Sequence, residues 1–383
     1  MRIENFCYLE KIDLEQVSLV ILQWQKQSQS IAIFALLPEQ ERLGIPHLQA
    51  VFKQLDIPLL GAVFPELVVD SSFKSCGIYL LCFNAAPFYK LYPHIGTGGA
   101  DAELAAANIA DDCQLILQTS EQDATLFMIC DALLPNIASL LDHLYLKLGN
   151  RIHYAGANAG SETFTSIPCL FDNQDLIANG ILIILLQPHS GAVLEHGYIA
   201  PTQQLFATST TDNCIQQIDW RPAFTVYQEL VLEQFNIEIT RENFYQYGVH
   251  YPFGIIRANG TLVVRIPVAL TDDDSLCCIG EVPEHAILTL LNAPSVDQDK
   301  TIQILAQALQ PIPEQSAHEF LLFYCAGRRL HTGLENSILE LQALKAQTAA
   351  TQIAGALSLG EIGSSASWDY PLFQNATLVG MRW

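Results

Sequence analysis

The chain has 383 residues, half of them hydrophobic and 15% charged, so it can bury a large core in two or three ordinary domains or in one large repeated one. Its 18 Lys and Arg against 40 Asp and Glu leave a formal charge of -22, a field that repels phosphate backbones and argues against nucleic-acid binding. No signal-peptide pattern follows Met1, and no apolar run approaches the roughly 20 residues that cross a bilayer, so a cytoplasmic protein is expected.

Residues 13–28 carry Leu14, Val17, Val20, Ile21 and Trp24 at helical spacing, and 31–37 is a continuous apolar run of strand length. A helix over 46–55 and strands over 57–63 and 76–83 follow, with Gly61-Ala62 ahead of Glu66. The order returns as a strand at 126–130, a helix at 136–148, a strand at 151–155 leading into Gly156-Ala157 ahead of Glu162, and a strand at 180–186. It returns again as a strand at 320–325, a helix at 335–347, a strand at 353–357 with Gly355-Ala356 ahead of Glu361, a Gly/Ser loop, and a strand at 376–379. A strand–helix–strand–strand unit therefore occurs three times, which predicts an α/β fold of mixed sheets packed with helices.

Between the second and third units the character changes. Strands are expected at 205–209 and 213–219, a helix at 222–235, and a hairpin from 251–256 and 262–269 around Asn259-Gly260. A short strand at 287–290 and a helix at 300–309 complete the stretch. Pro188-His189-Ser190-Gly191 interrupts the pattern, and the chain divides into halves at 1–200 and 201–383.

None of the nucleophile-elbow, P-loop, H-E-x-x-H and EF-hand patterns is present. Gly96-Thr97-Gly98-Gly99-Ala100 lacks both a preceding strand and a Lys-Ser/Thr partner, so a flexible loop is expected there rather than a phosphate cradle. The ten cysteines include no C-x-x-C pair, many sit in apolar strands, and adjacent Cys277 and Cys278 suit a bridge poorly; buried reduced thiols are expected. The ten histidines show no i, i+4 pair, which argues against a helix-borne zinc site. His153, His196, His250 and His331 sit in suggestive settings, although a hydrogen-bonded or exposed imidazole is the ordinary role of each. Haem iron needs only one axial imidazole and an apolar pocket.

In Cys325-Ala326-Gly327-Arg328 an aromatic-rich strand ends on a guanidinium, which puts Arg328 at a sheet rim. It is suited to a carboxylate, either a ligand's or that of Glu361. Glu361 is a lone acid between Gly360 and Ile362, and such acids are seldom buried unpaired. Cys325 and Ser161 are the candidate nucleophiles of an enzyme reading, but no base stands at a recognisable spacing from either.

Gly61-Ala62-Val63-Phe64-Pro65, Tyr154-Ala155-Gly156-Ala157, His196-Gly197-Tyr198-Ile199-Ala200-Pro201 and Asp219-Trp220-Arg221-Pro222-Ala223 follow one another in that order. After Tyr227-Gln228-Glu229-Leu230 come Cys325-Ala326-Gly327-Arg328, Gly360-Glu361-Ile362 and Asn375-Ala376-Thr377-Leu378-Val379-Gly380. In this order and spacing the phrases resemble the FIST family, a sensory domain with N- and C-terminal halves, over essentially the whole chain. Gly355-Ala356-Leu357-Ser358 departs from the family's usual Gly-Gly or Gly-Phe phrase. The resemblance implies small-ligand sensing in signal transduction, with amino acids among the proposed ligands. It extends to the NosP-type bacterial nitric-oxide sensors, which bind haem and regulate a partner histidine kinase. On that implication haem b is the expected cofactor, with His250 as its axial ligand and His196 as second choice. Arg328, Glu361 and Cys325 complete the expected cofactor-binding set. The competing implication is a haem-free receptor for a small polar metabolite, gripped by Arg328 and Glu361. A hydrolase-type enzyme is the third reading.

Overall fold

In the computed structural model, which describes residues 3–28, 30–118, 122–294, 300–310, 319–364 and 370–382, the expected repeat is real and longer than its sequence signature. The first unit runs β1 (Ile3–Leu9), α1 (Leu14–Gln25), β2 (Ala32–Pro38), α2 (Ile45–Leu55), β3 (Leu59–Phe64), a short hairpin of β4 (Leu67–Val69) and β5 (Ser72–Lys74), and β6 (Ile78–Phe83). The second runs β7 (Phe88–Tyr92), α3 (Gly99–Leu117), β8 (Thr125–Asp131), α4 (Ile137–Leu148), β9 (His153–Ala159), the hairpin β10 (Leu170–Asp172) and β11 (Leu176–Ile177), and β12 (Ile181–Leu186). The third opens with β13 (Val193–Glu195) and is then interrupted by an insertion. That insertion holds β14 (Leu205–Thr211), β15 (Cys214–Ile218), β16 (Arg221–Pro222), α5 (Ala223–Phe235), α6 (Phe244–Tyr247), β17 (Phe253–Ile256), β18 (Leu262–Arg265), β19 (Pro267–Leu270), β20 (Leu276–Cys278) and β21 (Ile287–Leu290). The third unit resumes with α7 (Thr301–Ala308), β22 (Glu319–Cys325), α8 (Ala326–Thr332), α9 (Leu334–Thr348), β23 (Gln352–Ser358), the hairpin β24 (Glu361–Gly363) and β25 (Leu372–Gln374), and β26 (Leu378–Arg382). Residues 365–369 of the expected Gly/Ser loop lie outside the described residues.

Each unit builds a six-stranded sheet on one plan. The orders are β1-β6-β2-β3-β10-β11, β7-β12-β8-β9-β24-β25 and β13-β26-β22-β23-β4-β5. The two strands flanking the central helix pair in parallel, as a helical crossover requires, and the closing strand returns antiparallel. The last two strands of every sheet come from a different unit: the second unit lends its hairpin to the first sheet, the third to the second, and the first to the third. The halves expected at 1–200 and 201–383 thus share sheets.

Alternation sets the layers. Phe127 and Ile129 of β8 and Leu321 and Phe323 of β22 point into one common core with Phe34 of β2. Leu126 and Met128 of β8 face the layer of α3 and α4, and Phe320 and Leu322 of β22 face that of α7 and α9. Gly61, Gly156 and Gly355 occupy the matching strand position in all three units, and a Cβ there would come within 2.5, 2.1 and 1.7 Å of the carbonyl oxygens of Ala35, Met128 and Leu322. The shared Gly-Ala phrase is therefore a requirement of close strand approach.

The insertion forms its own eight-stranded sheet over α5. The side chain of Gln374 bonds its edge strand β18, with Oε1 accepting from Val264 N at 2.8 Å and Nε2 donating to Leu262 O at 2.8 Å, and Asn375 Oδ1 accepts from Ile266 N just beyond it at 3.3 Å.

Three expectations need correction here. Gly99 and Ala100 begin the long helix α3 rather than lying in a flexible loop; the apolar stripe Ala102, Ala105, Ala106, Ile109 and Ala110 explains why. Cys214 and Cys277 face each other across β15 and β20 and are disulfide-bonded, because pairing register puts them opposite; eight cysteines are free thiols. The three Gly-then-Glu spacings also differ in structure, since Glu361 sits where the other units have Leu67 and Leu170.

Candidate functional site

The C-terminal ends of β9, β22 and β23 meet the insertion around one apolar cavity of about 80 Å³. Its wall includes Glu162 and Phe164 after β9, Val249 and Ile266 of the insertion, and Cys325 and Leu330 at the β22–α8 junction.

Behind Cys325 lies Glu361, fully buried. Ser358 Oγ donates to its Oε1 at 2.6 Å and Thr377 Oγ1 to its Oε2 at 2.5 Å, and the Cys325 thiol is a further donor. Burial nevertheless pushes the Glu361 carboxyl up to about 7, against those bonds. Cys325 Sγ accepts from Ala376 N at 3.1 Å, and burial pushes its thiol far above the usual range, which suppresses the thiolate a nucleophile needs. Ser161 Oγ is bonded to Thr163 Oγ1 at 2.8 Å.

Arg328 is not at an open rim and does not pair with Glu361. It lies on the short helix α8, 1% exposed, where Nη2 and Nε meet the two carboxylate oxygens of Glu340 at 2.6 and 3.1 Å. Tyr324 also donates its phenol to Glu340, and Arg328 Nη1 donates to His196 O at 2.8 Å. The strand turns straight into a helix at Ala326, which swings the guanidinium inward beneath α9. Its neighbour Arg329 joins the units instead, reaching Glu66 at 2.5 Å and Glu162 at 3.2 Å.

The histidines gather beside this arginine. His250, in the turn Gly248–His250, and His331 of α8 approach Nδ1 to Nδ1 at 3.0 Å. Tyr198 stands between His331 and His196, with ring centroids 6.4 and 6.2 Å away, and its backbone N donates to His196 Nδ1. Burial lowers the pKa of His250, and burial with the nearby His250 and Arg328 lowers that of His331 to about 4, so the pair is held neutral. His153 sits apart at the start of β9, largely buried. Among the described residues no group of three or more His, Cys, Asp or Glu is placed to hold a metal ion.

The expected residues thus form two adjoining clusters, His196–His250–His331–Arg328 and Cys325–Glu361. Sequence reasoning missed Glu340, Ser358, Thr377, Tyr198 and Asn158. Glu340 was within reach: it falls on the buried stripe of α9 with Ser337, Leu341 and Leu344, where a carboxylate calls for a partner. The hydroxyl of Tyr198 and both amide atoms of Asn158 are buried with no partner among the described residues.

A haem fits this arrangement in part. His250 has its Nδ1 held by a second group, as metal-bound imidazoles require. The cavity does not supply the room: drug-sized ligands occupy roughly 300–1,000 Å³, a porphyrin is no smaller, and His250 is not in the cavity wall.

Among the described residues no helix is long and apolar enough to cross a membrane. No curated protein matches the chain. The family model of the FIST N domain matches residues 32–221 and that of the FIST C domain residues 223–364. FIST domains are associated with small-ligand sensing in signal transduction and are sensory rather than catalytic families. With its two domains matched in succession along the chain, the protein belongs to the FIST family.

Proposed function

We propose that the chain is a ligand-responsive switch whose input is a small, mainly apolar molecule in the cavity beside Cys325, and whose output is a change in how the insertion sits on the three-sheet body. The observation that carries this reading is the cavity's position, at a seam where the insertion, α8 and the loop after β9 all contribute walls. Cys325 couples that seam to two strands, through Glu361 of β24 and the backbone of Ala376 before β26. A ligand shifts such an equilibrium only by binding one arrangement better than the other. The receiving protein, on this reading, is a separate signalling partner such as a sensor histidine kinase.

Xenon, which enters dry apolar cavities, is the direct probe. Under pressure it shifts the amide resonances of Val249 and Gly327, and Val249→Phe, which fills the cavity, abolishes the shift. Resonances that stay put in the unaltered protein, or move equally in the variant, overturn the assignment. Haem binding through His250 is the finer reading and requires the seam to widen. A visible absorption band in protein expressed with haem, moved by nitric oxide and lost in His250→Ala, selects it; protein that takes up no haem removes it.

A further inference from the structure

A second opening, a cleft of about 450 Å³, lies between the insertion sheet and α4, lined by residues different from those of the cavity at Cys325. Arg265 stands in its wall, 3% exposed. Its Nε donates to Glu281 O at 2.9 Å, and its Nη1 to Val264 O at 3.1 Å and Phe373 O at 2.9 Å. Those bonds hold β18 against β25 and account for the arginine's burial. The three acceptors are uncharged carbonyls, the guanidinium lies over the Phe373 ring at 5.4 Å, and Nη2 makes no hydrogen bond among the described residues. Burial pushes the pKa of Arg265 down to about 10, which leaves it cationic at neutral pH. The contrast with Arg328, locked to Glu340, and Arg329, locked to Glu66 and Glu162, is direct. Glu281 favours the cation through space, but among the described residues no carboxylate reaches Arg265 as an ion pair, and a bonded anion would offset the cost of burying it.

None of the cleft's own carboxylates bonds Arg265, although Glu281 acts on it through space. Glu281 is occupied by Ser139, whose N and Oγ both donate to it. Asp142 accepts from Tyr370 at 2.5 Å. Asp212 and Glu284 are exposed. Arg257, also exposed, lies over the Tyr370 ring at 4.8 Å. Between the polar groups, Ile255, Val263 and Val282 give the cleft an aliphatic wall.

We propose that this cleft binds a small monocarboxylate with an aliphatic body, its carboxylate on Arg265 and its chain against Ile255, Val263 and Val282. The cleft has ample room for a ligand of that class. One buried cation matches one anionic group, whereas a phosphate ester or dicarboxylate brings added negative charge beside Asp142, Glu281, Asp212 and Glu284.

Butyrate is the probe, with butyramide as its uncharged isostere, inorganic phosphate as the competing anion and calorimetry on the full chain as the readout. Butyrate is expected to bind one site, with butyramide weaker by about tenfold or more. Ala138→Phe narrows the cleft from α4 without touching the bonds of Arg265, and is expected to weaken butyrate by about tenfold or more. A folded protein that ignores butyrate, or binds butyramide equally, overturns the proposal. So does an Ala138→Phe variant with undiminished affinity, or phosphate binding as tight as that of butyrate. The cavity at Cys325 is tested separately by xenon, so either reading can fail alone.

Discussion

Leu67 of the first unit, Leu170 of the second and Glu361 of the third open their exchanged hairpins in the same register, opposite Ala356, Ala62 and Ala157. All three are fully buried. The two leucines need only neighbours to pack against; the glutamate needs Ser358, Thr377 and Cys325 as donors. Where one repeat departs from an apolar rule that its siblings keep, the departure marks a place shaped by something besides folding. The third unit is also the one that carries the insertion, the buried Arg328–Glu340 pair and part of the cavity wall.

The largest expected effect breaks what the units share. Gly355→Ala forces a Cβ to within 1.7 Å of a backbone oxygen, and Gly156→Ala does so at 2.1 Å; both are expected to abolish soluble folded protein on expression. A Gly355→Ala protein that melts like the parent shows that the frame is looser than its register implies. The next tests what only the third unit has. Arg328→Ala leaves Glu340 buried without its cation, bonded only by the Tyr324 phenol, and is expected to cost about 3–5 kcal/mol in urea unfolding. Arg329→Ala, whose partners Glu66 and Glu162 are partly exposed, is expected to cost about 1 kcal/mol. Equal costs remove the distinction between the two arginines.

A pH-dependent effect reads Glu361 itself. Its folded carboxyl titrates near 7 against a reference of 4.5, so between those values the folded state holds a proton that the unfolded state has released. Stability conferred through this group is therefore full below about pH 4.5 and falls as pH rises to about 7, by roughly 2–3 kcal/mol. Glu361→Gln is expected to flatten that slope when unfolding midpoints are followed with pH. A slope unchanged in the variant assigns the effect to other groups.

The repeat was legible because Gly-Ala punctuates an apolar strand three times, and close strand approach enforces that phrase. The edge strand β1 and the three short hairpins were not read, because segments as short as Leu67–Val69 leave no room for a period to show. Nothing in single-unit patterning could announce that each hairpin joins another unit's sheet. At the site, the apolar flanks of Glu361 left a partnered acid and a solvated one both open, and only the structure shows it buried. Arg328 was misplaced because the helix after Cys325 is only seven residues long, below the length at which helical periodicity declares itself. The Cys214–Cys277 bond depended on strand pairing across 63 residues, which spacing alone does not reveal.

The cyclic loan of hairpins has a consequence for synthesis. The segment Leu67–Val69 leaves the ribosome long before the edge it completes, on Ala354–Ala356. At about 5–20 residues per second the nascent protein carries an unsealed edge for on the order of tens of seconds. Until β22 to β26 emerge, that edge is open to neighbouring chains, so slowed translation or truncation near residue 350 is expected to yield aggregates rather than a smaller native protein.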